Sequence, residues 1–369
     1  MIIAGEASGD LHGAKLAQSI KNRNRNTLLF GIGGTAMKKE GVRILVDSRT
    51  LSVVGITEVL SKLTTIYRAM TTVKKALSRL KPDLLILIDF PDFNFHVAAA
   101  AKRLGIPVLY YISPQIWAWR QNRVHKIKRL VDHMAVILPF EAAFYRRHHV
   151  PVTFVGHPLL DRIVPMVSSP SSTTQTNKPI IGLLPGSREK EVSTLLPVML
   201  EAANIIRRQL PAVRFLISCS ESIEDDLVKD LVGQHASRLD IEIIKGSVND
   251  VFRQSRMLMA ASGTVTLEAA LYGIPMVIVY KVSPLSYWLG KRLIKVKHIG
   301  IVNLIAQKEL LPELIQDNAS PQTIAETVTA MINDQERLKQ IKKELVGIRD
   351  HLGGAGASDR VARIALSLI

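Results

Sequence analysis

Short apolar runs separated by longer stretches of helical period recur along almost the whole chain, and this alternation constrains the fold most. In the first half the apolar runs fall at residues 1–4, 27–30, 84–88, 108–112, 133–137 and 152–155, with helical patterns at 11–21, 58–80 and 98–104. Strand alternating with helix gives parallel βαβ units, whose strands are covered on both faces and therefore read as continuous apolar runs. At 165–179 the text becomes PMVSSPSSTTQTNKP, a linker composition. The alternation then restarts, with runs at 180–184, 214–218, 241–244, 257–260 and 276–280 and a helical tail from 321 onward. The pattern predicts an α/β chain of two doubly wound domains facing a central cleft. Residues 1–165 make the first domain, 166–179 the linker and 180–345 the second domain. Residues 346–369 form a helical tail, a candidate for docking on the first domain.

Composition narrows the partners. With 47% hydrophobic and 22% charged residues over 369 positions, the chain has ample core, and disorder is excluded. Its lone cysteine, Cys219, fits a reducing compartment and leaves no thiol cluster for zinc. Forty-eight Lys and Arg against 32 Asp and Glu give a net charge of +16, so anionic partners are favoured: phosphates, nucleic acid or an acidic membrane face. Aromatic content of 5% speaks against single-stranded nucleic acid, which needs exposed rings for base stacking. Glu6 and Asp10 stand where a secretory signal would carry its apolar core. The stretch 257–280 is interrupted by Glu268, Gly263, Gly273 and Pro275, so it does not read as a bilayer helix.

In open α/β sheets ligands bind beyond the carboxyl ends of the strands, so chemistry is sought there. The first run ends in GEASGD, where two glycines allow a tight turn and Ser8 and Asp10 are candidate helix caps. Gly31, Gly33 and Gly34 follow the second run but lack the G-x-G-x-x-G spacing of a dinucleotide site. The run 84–88 leads directly into Asp89, an aspartate at the end of a buried strand. Partial burial would raise its pKa and suit a general base, while the plain alternative is a structural acceptor. Asp92 and Asn94 read as caps of the next helix.

Trp117 and Trp119 adjoin a basic run of Arg120, Arg123, Lys126, Lys128 and Arg129, either a solvated face or a contact for phosphate and acyl groups. Further on, Gly186, Ser187 and Arg188 follow one strand, and Ser262, Gly263 and Thr264 follow another, with Glu268 one turn deeper. Two helix starts offering free amides, one forked cation and an acid able to accept ribose hydroxyls make a nucleoside-diphosphate site. No metal is expected, the cationic role falling to Arg188 and the helix dipoles.

Taken together, GEASGD at 5–10, VVGITEVL at 53–60, DFPDFN at 89–94, YYISPQIWAWR at 110–120, LPFE at 138–141, FVGHPLLD at 154–161, LPGSR at 184–188, SGTVTLE at 262–268 and VNLIAQKELLPELIQ at 302–316 resemble the lipid-A-disaccharide synthase family. The resemblance implies a GT-B glycosyltransferase with two Rossmann-like domains. It implies as substrates UDP-2,3-diacylglucosamine and 2,3-diacylglucosamine 1-phosphate, joined through a β-1,6 linkage with inversion and release of UDP. Asp89 matches the essential aspartate of that family. Gly186, Ser187, Arg188, Ser262, Gly263, Thr264, Glu268 and Asn303 fall on its donor-binding parts. Glu6, Ser8 and Asp10 fall on its first-loop motif, and Trp117 and Arg120 are acceptor candidates.

The expected mechanism is a single displacement with Asp89 as base and no cofactor. Acylated substrates call for an anionic membrane surface, hence a cytoplasmic protein at the inner membrane, with a homodimer left open and no nucleic-acid partner. The segment 58–80 spaces Val59, Leu60, Leu63, Ile66, Met70, Val73, Leu77 and Leu80 at three- and four-residue steps beside Lys62, Arg68, Lys74, Lys75 and Arg79. Core contact explains that stripe more readily than a membrane does. Tyr287, Trp288 and Leu289 beside Lys291, Arg292, Lys295 and Lys297 form a second interfacial candidate. The rival readings are another GT-B enzyme of UDP-N-acetylglucosamine, whether transferase or 2-epimerase, and a non-catalytic basic binder.

Overall fold

The computed structural model describes residues 1–51, 63–162, 178–283, 287–288 and 296–369. The chain divides into two compact units, Met1–Arg162 with Leu352–Ile369, and Ile163–His351. Each contains one sheet, and every strand pairing is parallel.

The first unit holds seven strands: β1 (Ile2–Ala4), β2 (Phe30–Gly33), β3 (Arg43–Asp47), β4 (Leu85–Ile88), β5 (Val108–Tyr111), β6 (His133–Val136) and β7 (Val152–Phe154). Their order across the sheet is β3-β2-β1-β4-β5-β6-β7. Side chains alternate between two cores, as a period of two requires. Ile3, Leu85, Leu87, Val108, Tyr110 and Val136 enter one core, while Ile2, Ile86, Ile88, Leu109 and Tyr111 enter the other. The helix Leu63–Leu80 joins the first core through Ala69, Val73 and Leu77. Helix Ala7–Arg23 and the C-terminal helix Ala357–Ser367 cover the second, the latter through Val361, Ala362 and Ala365. Arg23 grips Asp359 with both Nε and Nη2, at 2.9 and 2.7 Å, and Arg360 Nε donates to the carbonyl of Val155 at 2.7 Å.

The second unit holds β8 (Ile180–Leu184), β9 (Arg214–Cys219), β10 (Ile241–Lys245), β11 (Met257–Ala261), β12 (Met276–Tyr280) and β13 (Glu313–Ile315), in the order β10-β9-β8-β11-β12-β13. Its last helix, Gln335–His351, continues past residue 345, where the sequence reading ended the domain. Leu338, Ile341, Leu345 and Ile348 are all buried along one face, so the helix has no reason to stop there. The chain joins the first unit only at Leu352.

Three elements differ from the expected pattern. The second strand starts at Phe30 rather than 27, because Leu28 is 88% exposed and only Leu29 of that pair faces the core. The strands β3 and β13 were not foreseen; both lie at sheet edges, where half-exposed residues break the apolar run. Residues 53–60 and 58–62 of the expected motifs and helix lie outside the described residues, as do Leu289, Lys291, Arg292 and Lys295.

Candidate active site

Both strand orders reverse direction once. In the first sheet the reversal falls between β1 and β4, in the second between β8 and β11. Such switch points open a crevice at the carboxyl ends of the strands. The loop with Glu6 and Ser8 follows β1, and Asp89 follows β4, with Ala4 paired beside Ile88. Gly186, Ser187 and Arg188 follow β8, and Ser262, Gly263 and Thr264 follow β11. Each unit thus gathers these residues at its own switch point, whereas Trp117 and Arg120 follow β5 and Asn303 follows β12.

Asp89 stands on an unusual turn. It and Phe90 both take left-handed backbone angles, φ 44° and 49°, which cost side chains with a Cβ about 1–2 kcal/mol each. The surroundings enforce the turn. The carbonyl of Asp89 accepts Asn94 Nδ2 and the Tyr110 hydroxyl, both at 2.6 Å. The Phe90 ring lies so close over Gly5 that a Cβ there would sit 2.3 Å from Phe90 Cδ1, so only glycine fits. Burial first, and the Glu6 carboxylate second, push the Asp89 carboxyl up to about 6. Asn94 therefore holds the turn instead of capping the helix Pro91–Arg103, and Asp92 pairs with Arg123 at 2.8 Å.

The first loop also departs from the sequence reading. Neither Ser8 nor Asp10 caps the helix Ala7–Arg23. Ser8 is exposed, whereas Asp10 is buried and accepts the amides of Gly34, Ala36 and Met37 at 2.6, 2.9 and 3.0 Å. It caps the neighbouring helix Thr35–Lys39 through space and fixes the loop after β2. Trp117 likewise turns inward: at 7% exposure its indole donates to Glu141 at 3.1 Å and its ring meets Phe140 edge-on at 4.7 Å. Trp119 is the exposed ring of the pair, at 40%, with the Arg120 guanidinium stacked 4.0 Å from its centroid.

In the second unit Gly186 has φ 119°, and a Cβ there would strike Glu191. Glu191 accepts the Ser187 amide at 3.3 Å and Arg188 Nη1 at 3.0 Å, which holds the loop and leaves Arg188 half exposed. The helix Thr264–Leu271 has no side-chain cap, and the space around Gly263 is open. Thr266 anchors the start instead, its hydroxyl donating to the Gly263 carbonyl at 2.7 Å, and Glu268 is buried one turn in. Uncapped amides facing open space suit an anion.

Asn303 is different. It is fully buried and its amide is spent within the fold, donating to the Leu311 carbonyl and Glu313 at 2.7 Å and accepting the amides of Leu310 and Leu311 at 2.9 Å. It positions the segment before β13 and offers no free group.

Sequence reasoning missed two acids that accept backbone amides, Glu141 buried and Glu313 partly so. Glu313 accepts the amides of Ile299 and Gly300 at 2.8 and 3.0 Å. Glu141 sits in the third position of the helix Pro139–Arg147, accepting Ile137 and Leu138 amides at 3.2 and 3.0 Å; burial pushes its carboxyl up to about 7. A proline followed two residues later by glutamate, directly after an apolar run, was the available signal. Among the described residues no group of His, Cys, Asp and Glu is gathered that could hold a metal ion. No described helix is long and apolar enough to cross a membrane. A cavity of about 390 Å³, lined by Met1, Asn26, Leu28, Leu84 and Ile369 among others, lies at the amino ends of the first sheet's strands, the opposite edge from the switch point.

Comparison with known proteins agrees with this arrangement. The family model for lipid-A-disaccharide synthetase matches residues 1–364. The chain is 46% identical to the lipid-A-disaccharide synthase of Geobacter metallireducens, over all of this chain and 97% of that one. It is 47% identical to that of Syntrophus aciditrophicus over 100% and 97%, and 42% identical to that of Coxiella burnetii over 100% and 98%. Among solved structures, the UDP-GlcNAc 2-epimerase from Neisseria meningitidis bound to UDP-GlcNAc aligns with a TM-score of 0.67 at 14% identity, covering 99% of each chain. The glycotransferase of kitacinnamycin aligns at 0.64 and 12% identity, covering 100% of this chain and 98% of that one. At such identities the shared property is the fold, that of GT-B glycosyltransferases and epimerases.

Proposed function

The chain belongs to the lipid-A-disaccharide synthetase family, and from that premise we propose that it joins UDP-2,3-diacylglucosamine to 2,3-diacylglucosamine 1-phosphate. The products are the β-1,6-linked disaccharide 1-phosphate and UDP. What carries this reading is the Asp89 carboxyl, raised to about 6 beside Glu6 at the switch point of its sheet. A carboxyl with that value is charged at neutral pH yet basic enough to take a proton. Asp89 removes the proton from the acceptor 6-hydroxyl as that oxygen attacks the anomeric carbon, and one displacement inverts the centre. UDP is a good leaving group, so no second carboxyl is needed to protonate it, in contrast to glycosidases. Its developing charge is met by Arg188 and by the helix starts at Glu189 and Thr264. Glu268 accepts ribose hydroxyls, and Asn303 serves the donor through the segment it holds.

Acceptor binding falls to the Trp119–Arg120 pair, the forked cation for the 1-phosphate and the ring for apolar contact. The protein works at the cytoplasmic face of the inner membrane, held reversibly by charge. Helix Leu63–Leu80 supports this: below its buried residues it exposes Leu63 and Tyr67, at 50 and 73%, beside Arg68, Lys74 and Lys75. Incubation with both substrates and mass spectrometry of the product tests the reaction. The disaccharide 1-phosphate with stoichiometric UDP supports it; conversion of UDP-N-acetylglucosamine alone to its 2-epimer would replace it with the rival reading.

A further inference from the structure

Glu141 is 1% exposed, and neither proton transfer nor donor binding uses it. Among the described residues it has no cation partner, although the chain carries a net charge of +16. Burying a carboxylate without a counter-ion is costly, and a serine or threonine at the helix start would cap Pro139–Arg147 at less cost. Oε1 takes the Trp117 indole N–H and Oε2 takes the amides of Ile137 and Leu138, with the Ser113 hydroxyl a further donor to the carboxyl. An amide side chain of the same shape would turn its own N–H₂ toward one of these donors and leave buried N–H groups unmatched.

The other end of this contact is a helix of four residues, Ile116–Trp119, too short to hold itself. Trp117 is its anchor, clasped by Glu141 and Phe140, and Gln121 Nε2 donates to the Trp117 carbonyl at 2.9 Å to continue the turn. Two residues on, Trp119 and Arg120 emerge to solvent as a stacked pair. We propose that Glu141 is a positioning residue for acceptor recognition: through Trp117 it sets the turn that presents Trp119 and Arg120 to the acceptor's phosphate. The inference rests on the reading of that pair as the acceptor contact.

Steady-state kinetics in detergent micelles test it, varying each substrate in turn. Glu141→Gln should raise the acceptor KM about tenfold, the loss of one well-placed hydrogen bond, with donor KM within threefold of the parent. Trp117→Phe, which deletes the indole donor together with part of the ring packed on Phe140, should raise it at least as much. The double variant should be no worse than the more severe single one, since both break one contact. Arg120→Ala is measured beside them. An unmoved acceptor KM in Arg120→Ala removes the acceptor reading itself. A raised acceptor KM there, with normal values in folded Glu141→Gln or in Trp117→Phe, overturns the role of Glu141 alone. Should Glu141→Gln fail to fold, Trp117→Phe decides.

Discussion

At the scale of single residues, the proposed chemistry depends on what surrounds Asp89. Burial and Glu6 together hold its carboxyl at about 6, well above the ordinary aspartate value of 3.8. The proposed base is active when charged, so kcat/KM should fall as pH drops through about 6. Glu6→Gln removes one of the two causes, and that acid limb should move to lower pH in a pH–rate profile; an unmoved limb would separate Glu6 from the base. The same shift has a cost in stability. A carboxyl whose pKa is raised by folding adds no penalty below the unfolded value, and an increasing one as pH climbs to the folded value. Above pH 6 the penalty is complete. Asp89→Asn should therefore be more stable than the parent at pH 7, by roughly 1–3 kcal/mol, with the gain vanishing near pH 4 in paired thermal melts. The sequence made Asp89 legible because it ends an apolar run. It hid the left-handed turn, since aspartate tolerates that conformation but Phe90 does not mark it; the reason lies in Tyr110 and Asn94, which come to the turn from other positions.

At the scale of elements, the structure relies on polar side chains that reach across loops. Asp10 was read as a cap of its own helix, yet it satisfies three amides at the start of Thr35–Lys39. A residue's cap partner cannot be read from its neighbours when the partner strand lies beside it in the sheet. Asp10→Ala should lower stability by about 2 kcal/mol in chemical denaturation, because buried amides lose a charged acceptor. Helix Leu63–Leu80 shows how one periodicity serves two ends. Val73 and Leu77 meet the core as expected of most amphipathic helices, while Leu63 and Tyr67 remain exposed. Reversing Lys74 and Lys75 to glutamate should weaken co-sedimentation with anionic vesicles by at least tenfold, since each basic residue near such a surface contributes about 1 kcal/mol. Binding that ignores both charge reversal and salt would remove the electrostatic docking.

For the whole molecule, the alternation of runs and helical patterns made the α/β class legible, and most interior strands fell within a residue or two of their place. The edge strands β3 and β13 escaped because half-exposed strands carry no continuous apolar run. Strand order was not legible at all, and order is what turns a list of motifs into sites. Only the reversals at β1 and β4, and at β8 and β11, bring GEASGD beside DFPDFN and LPGSR beside SGTVTLE. The two units accordingly divide the proposed reaction, one supplying the base and the other the grip on UDP. The most direct test measures turnover and UDP affinity on the same Asp89→Asn protein. Turnover should fall by about a hundredfold to ten-thousandfold while the UDP dissociation constant stays within threefold. Near-normal turnover with the asparagine in place would contradict the account.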